Sequence, residues 1–201
     1  MVGVMGHAAM AATAVRYLRC HTGAPSGAAP CPALRAVRED ERLPLDPAEF
    51  RRVLGTFPTG VAVITADDGS GPAGFACQSF SSLSLDPPLA VFMVGRTSTT
   101  WPRIARAGVF CANVLGENQG ELCRNFAASG TDKFAGVPHR PSPATGSPLL
   151  AGAPAWVDCT IQQVHTGGDH LIVVGRVEAL DTVGAGEPLV FHRGVFRRLV
   201  P

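Results

Sequence analysis

The chain has 201 residues, 46% of them apolar and 16% charged, a balance too hydrophobic and too weakly charged for a disordered polypeptide. Seventeen basic against sixteen acidic side chains leave a formal charge of +1. That offers no long-range field for a polyanion, and it argues against nucleic acid as a partner. Apolar runs such as Leu89–Val94 fall far short of the ~20 residues of a membrane helix, so no membrane is expected either.

Residues 1–45 differ from the rest. Met1–Val15 is rich in Ala and Gly, without the basic start and sustained apolar core of a secretory signal. Residues 21–34 read HTGAPSGAAPCPAL, a stretch with little to bury. The expectation is a disordered N-terminal extension, or a start codon assigned too early. Residues 46–201 then form one domain, large enough to hold its own core without staples. The six cysteines are widely spaced with no C-x-x-C pair, and Cys111 and Cys159 fall in apolar runs, as reduced core thiols of a cytoplasmic protein would. The histidines lack metal-ligand spacing, so no metal is expected.

Asp46-Pro47-Ala48-Glu49 reads as a helix start with a capping aspartate, proline in the first turn and an acid placed for a capping box. Phe50, Val53 and Leu54 continue an amphipathic helix over 47–55. Val61–Thr65 is a β-branched strand stopped by the turn residues 67–71. A strand is expected over 73–84 and another over 89–94, then a helix over 98–107 with Ser98 as cap and Pro102 in its first turn. Strand 109–115, helix 117–128 and a Pro/Gly-rich loop over 136–152 follow. Trp156–Thr166 and His170–Leu180, joined by Gly167-Gly168-Asp169, form a long hairpin, and 190–199 adds a last strand. Many strands, short turns and two or three brief helices predict a mainly β, antiparallel barrel or sandwich, without the helical rhythm of a doubly wound sheet.

No nucleophile elbow, Walker loop or G-x-G-x-x-G turn occurs. Two stretches are odd for their setting. Gln78-Ser79-Phe80-Ser81-Ser82-Leu83-Ser84 is hydroxyl-rich among apolar strands, and Arg96-Thr97-Ser98-Thr99-Thr100 joins a strand to a helix start. Hydroxyls, backbone N–H groups and a guanidinium there suit a phosphate monoester. On spacing alone an ordinary N-cap at Ser98 and a solvated Arg96 are favoured over the phosphate site, and Ser79, Ser82 and Ser84 equally fit the wet face of a half-buried strand.

Several runs in order resemble the flavin reductase family, the small reductase components of two-component flavin-dependent monooxygenases. They are Phe57-Pro58-Thr59-Gly60-Val61, Gly74 through Pro88, Phe110-Cys111-Ala112-Asn113-Val114-Leu115, Asp132-Lys133-Phe134-Ala135-Gly136, Gly146-Ser147-Pro148, Asp158-Cys159-Thr160, Gly168-Asp169-His170 and Pro188-Leu189-Val190-Phe191. The wording around Cys77-Gln78-Ser79 and Gly168-Asp169-His170 is similar to the steroid-degradation hydroxylase reductases.

The resemblance implies a split β-barrel, an FMN-binding Greek-key antiparallel barrel, working as a homodimer with flavin near the subunit interface. It implies hydride transfer from NADH or NADPH to FMN or FAD, and delivery of reduced flavin to a separate monooxygenase. The stretch from Ala76 to Ser84, Leu83 included, is then expected to line the flavin, with backbone groups of Ala76, Cys77 and Gln78 at the ring and Ser79 and Ser82 at its tail. Arg96, Ser98, Thr99 and Thr100 are expected at the phosphate, with Lys133 and Phe134 nearby. His170 is the expected catalytic residue, setting the nicotinamide against the flavin; without the resemblance it reads as a hairpin histidine bonded to backbone. Where the family commonly has Phe-Tyr-Arg-Gly-x-Tyr, this chain has Phe191-His192-Arg193-Gly194-Val195-Phe196, which puts any contact by those tyrosine hydroxyls in doubt. A flavin carrier without turnover, or an interaction-only barrel, remains an alternative.

Overall fold

The computed structural model describes residues 45–184 and 186–199. All but Leu45 of the extension expected over 1–45 lies outside them, as do Cys20 and Cys31. Among the described residues, three helices accompany twelve strands: α1 (Pro47–Leu54), α2 (Trp101–Ala107), α3 (Gly120–Ala127), β1 (Thr59–Gly60), β2 (Ala62–Asp67), β3 (Pro72–Cys77), β4 (Ser81–Leu85), β5 (Pro88–Gly95), β6 (Val109–Val114), β7 (His139–Pro141), β8 (Pro148–Leu150), β9 (Ala155–Gly167), β10 (His170–Thr182), β11 (Val190–His192) and β12 (Val195–Arg197).

Seven strands form one antiparallel sheet in the order β3-β2-β6-β9-β10-β5-β4. The neighbours β2–β6, β6–β9 and β10–β5 are not consecutive in the chain, as Greek-key connections require. Laid flat, seven strands would hold the two outer ones ~29 Å apart. Yet Cys77 at the end of β3 and Ser81 at the start of β4 are four Cα steps apart, at most ~14 Å. The sheet must therefore curl until its edges approach at one corner. No ladder joins β3 to β4 among the described residues, so the barrel is curled but not closed.

The curl creates two apolar interiors. One contains Ile64, Phe92, Ile104, Phe110 and Val173; the other, on the opposite face, contains Val61, Val63, Leu115, Phe126 and Leu189. Strand β2 contributes to both, which explains why its apolar run does not alternate. The buried Asp158 carboxylate pins the long loop beside the sheet. It accepts from Thr145 Oγ1 at 2.5 Å and from the backbone N–H groups of Thr145 at 3.0 Å and Ala144 at 3.2 Å.

Local readings hold with several adjustments, among them that the helix expected over 98–107 begins at Trp101 with Thr100, not Ser98, at its cap, and that the one expected over 117–128 spans Gly120–Ala127. Asp46 caps α1 by accepting from Ala48 N (2.9 Å), but Glu49 pairs with Arg52 (2.6 Å) instead of closing a capping box, because a guanidinium is the stronger partner. The strand expected over 73–84 divides into β3 and β4, since the chain changes sheet edge between them. The 136–152 loop contains the short β7–β8 ladder. The last strand is a hairpin, β11–β12, turned by Arg193 (φ 50°) and Gly194 (φ 81°), the two positive φ values of a tight hairpin turn.

Candidate active site

The site is organised by the end of β5. Where the chain leaves β3, Ser79 turns its hydroxyl onto the Met93 backbone, donating to O (3.0 Å) and accepting from N (2.9 Å). Just before it, Cys77 is 4% exposed, and burial raises its thiol pKa. Two residues beyond Met93, Gly95 stands opposite His170 in the β5–β10 ladder. The ladder is extended by the Arg96 N–H, which donates to Asp169 O (2.9 Å), and the following turn by the Ser98 N–H, which donates to Gly95 O (2.9 Å). Ser98 Oγ accepts from Trp101 N (3.2 Å). It thus steadies the start of α2, although Thr100 occupies the cap position.

These connections enclose a cleft of about 580 Å³ whose lining includes Ala76, Cys77, Gln78 and Ser79, Ser98, Thr99 and Thr100, and Lys133 and His170. Nine residues singled out in the sequence, from four separate segments, thus meet in one place. His170 is half exposed, and its Nδ1 lies 2.8 Å from Asp169 Oδ1. Its Nε2 lies beside Gly95, where even a Cβ would fit at 3.9 Å. Lys133 donates from Nζ to Phe126 O (2.9 Å), and burial lowers its pKa.

Five expected residues fall elsewhere. Phe134 lines an adjoining cavity that shares Thr99, Thr100 and Lys133 with the main cleft, and its ring packs edge-on against Phe126. Arg96 is exposed and does not line the cleft. Ser82, Leu83 and Ser84 lie on β4, which pairs with β5 from Val91 back to Pro88. That direction carries them away from Gly95 and His170, and Ser82 and Leu83 are exposed on the sheet edge.

Thr97, from the same hydroxyl-rich stretch, also lines the cleft, and so do Met93, Phe126, Ala127 and Ser129, to which the sequence assigns no role. It gives none to Phe57, Pro58 and Thr59 either. With Gln78, Ser79 and Met93 these line a second cavity of about 580 Å³. The Thr59 Oγ1 is buried without a hydrogen-bond partner. The signal was the Phe-Pro-Thr-Gly run itself, whose hydroxyl follows a proline at a strand start.

A curled antiparallel barrel with a hydroxyl-rich cleft and an imidazole in its lining suits an extended, anionic ligand. The chain belongs to the flavin reductase like domain family, which matches residues 54–200. It is 48% identical over 157 residues to the reductase subunit HsaB of a flavin-dependent monooxygenase from Rhodococcus jostii (strain RHA1), covering 78% of this chain and 80% of that protein. It is 37% identical over 157 residues to an NADH:FMN oxidoreductase of Rhodococcus erythropolis, covering 76% of this chain and 82% of that one. The solved structure of the NADH:FAD oxidoreductase SgcE6 of Streptomyces globisporus, in complex with NAD and FAD fragments, superposes with a TM-score of 0.74 at 38% identity, covering 80% of this chain and 98% of that chain.

The residues present suit a flavin. The two joined cavities have the size of ligand pockets, about 300–1,000 Å³, and offer apolar and aromatic surface for a ring system at Phe57, Phe80 and Met93. The Gln78 amide can meet polar ring edges, while Ser98, Thr99, Thr100 and Lys133 can meet an anionic tail.

Proposed function

We propose that this cleft is the flavin and nicotinamide site of an NAD(P)H:flavin oxidoreductase whose reduced flavin serves a separate monooxygenase component. The flavin supplies the hydride acceptor, and NADH or NADPH the hydride; FMN and FAD are both admitted by the names of the relatives. The observation that carries the reading is the convergence of His170 with Ala76–Ser79 and Ser98–Thr100 in one cleft. The HsaB relative supports placing the chain with the steroid-degradation reductases.

In this reading the backbone of Ala76–Gln78 faces the ring, and the hydroxyls of Ser98, Thr99 and Thr100 with the Lys133 ammonium hold the anionic end. Ser79 keeps the wall in place through Met93. His170 orients the nicotinamide, a geometric task, because the ring must lie within about 3–3.5 Å of the flavin in a stacked arrangement. No protein acid or base is needed for the hydride itself.

A second copy of the chain completes the assembly in this reading. The apolar side chains of α1, Phe50, Val53 and Leu54, are exposed, with Phe57 and Met93 nearby in sequence or on the shared cavity wall. Exposed apolar surface of that kind marks an interface, and here it adjoins the proposed flavin site. The buried free thiols Cys77, Cys111, Cys123 and Cys159 are in keeping with the cytoplasm. Among the described residues no helix is long and apolar enough to cross a membrane.

The test is NADH oxidation by purified protein with excess free FMN or FAD, followed in the near ultraviolet. Many turnovers per protein are expected. Flavin binding without turnover would support the carrier reading, which one observation favours. Phe196, in place of a family tyrosine, packs its phenyl ring against Phe191 and under the Arg124 guanidinium (5.1 Å) and offers no hydroxyl.

A further inference from the structure

Resting on that reading, we propose that the site takes FAD in preference to FMN, with the adenylate half of the dinucleotide lodged in the cavity beyond Thr99, Thr100 and Lys133. Those three residues line both the main cleft and a smaller cavity of about 270 Å³. That volume lies below the ~300 Å³ at which pockets for a whole ligand begin. It suits one part of a molecule that enters from the larger cleft.

The position along the cofactor decides which part. With the ring over Ala76–Gln78 and the first phosphate at Ser98–Thr100, the chain of a dinucleotide continues past Thr99 and Thr100. Another cavity, bounded by Arg124, Phe191 and Phe196, touches the main cleft at Ala76, Gln78 and Ala127 instead. It meets the ring end, not the phosphate end.

The chemistry of the small cavity agrees. Lys133 stands at the junction, and its ammonium has three donors, one of which is used by Phe126 O; the others can meet a diphosphate. Thr131 and Asp132, also in its lining, have oxygens that can accept from ribose hydroxyls and from the amino group of adenine, although Asp132 Oδ1 already accepts from Phe134 N (3.1 Å). Arg103 forms a fixed side wall, because its guanidinium donates to Asp68 Oδ1 (3.0 Å), Ser70 Oγ (2.9 Å), Gly71 O (2.6 Å) and Pro72 O (3.2 Å). A wall held in place before binding loses little freedom on binding.

Calorimetric titration of the whole chain with FMN and with FAD tests this without turnover. The expected result is a dissociation constant at least tenfold lower for FAD. Thr131→Trp, which fills the small cavity from an exposed loop position, should raise the FAD constant to the FMN value while leaving the FMN constant within twofold. Retained FMN binding also shows that the variant is folded. Equal affinity of the wild-type chain for the two flavins, or a variant that weakens both or neither, overturns the FAD preference alone. Failure of the wild-type chain to bind either flavin overturns the flavin site itself.

Discussion

The Ser79 hydroxyl and the Met93 backbone form a pair of hydrogen bonds, 2.9 and 3.0 Å long, of the kind that one strand normally makes with the next. A side chain thus supplies a rung where β3 and β4 exchange edges and no ladder exists. The same rung fixes Cys77–Phe80 against the end of β5, so the corner of the barrel and the wall of the cleft are one construction.

Ser79→Ala should remove both bonds at a place that water reaches, at a cost of about 0.5–1.5 kcal/mol each. The urea midpoint should fall and flavin affinity should weaken with it. If both stay at wild-type values, Ser79 is not the joint described.

His170→Ala should leave flavin affinity nearly intact and slow NADH oxidation roughly ten- to a hundredfold, the effect of losing one positioning hydrogen bond of about 1–3 kcal/mol. An unaltered rate at low NADH concentration would take His170 out of the site.

Asp158→Ala should strip the 144–145 turn of the acceptor for three donors. Leaving such groups unsatisfied in a buried place costs on the order of 3 kcal/mol. Chemical denaturation would report the loss, and faster proteolysis near residue 144 would locate it. A midpoint equal to wild type would show that the loop has another anchor.

Gly175→Ala tests the core directly. A Cβ at 175 would stand 2.6 Å from Phe110 Cε1 and Cζ and 3.0 Å from Cys159 Cβ, so the ring must shift, at about 1–3 kcal/mol for such overpacking. Thermal denaturation should show a lower midpoint; no change would mean that the Phe110 ring has room to move.

Acid should weaken the turn between β2 and β3. The Arg103 guanidinium, then the Ser70 hydroxyl, hold the Asp68 carboxyl well below the usual carboxylate range, and the side chain is 1% exposed between Arg103 and Arg106. Because the folded state has the lower pKa, this contribution is complete above the unfolded value of about 3.9 and declines as pH falls below it. Urea midpoints measured between pH 7 and pH 3 should drop less in Asp68→Asn than in wild type. Parallel pH profiles would contradict the linkage.

Much of the architecture was legible locally. Asp46-Pro47 marks a helix start because cap and proline act within one turn, and Gly167-Gly168-Asp169 marks a hairpin because positive φ at Gly168 (70°) is a local requirement. Breaks decided by partners were not legible. Nothing in Gln78-Ser79-Phe80 announces a change of sheet edge, since the rung it makes is to Met93. Arg193 hides a turn because a non-glycine residue seldom takes positive φ.

Neighbours within a few positions of each other fix the mainly β class, the Asp46 cap, the long hairpin and the set of unusual residues, and these are readable along the chain. Which of those residues meet follows from strand pairing across the sheet. Strand β5 receives Ser79 at Met93 and His170 at Gly95, while the antiparallel direction of β4 carries Ser82, Leu83 and Ser84 the other way. Strand order and register rest on long-range pairing and on the shared burial of two apolar faces, and no stretch of chain contains both partners of such a pairing.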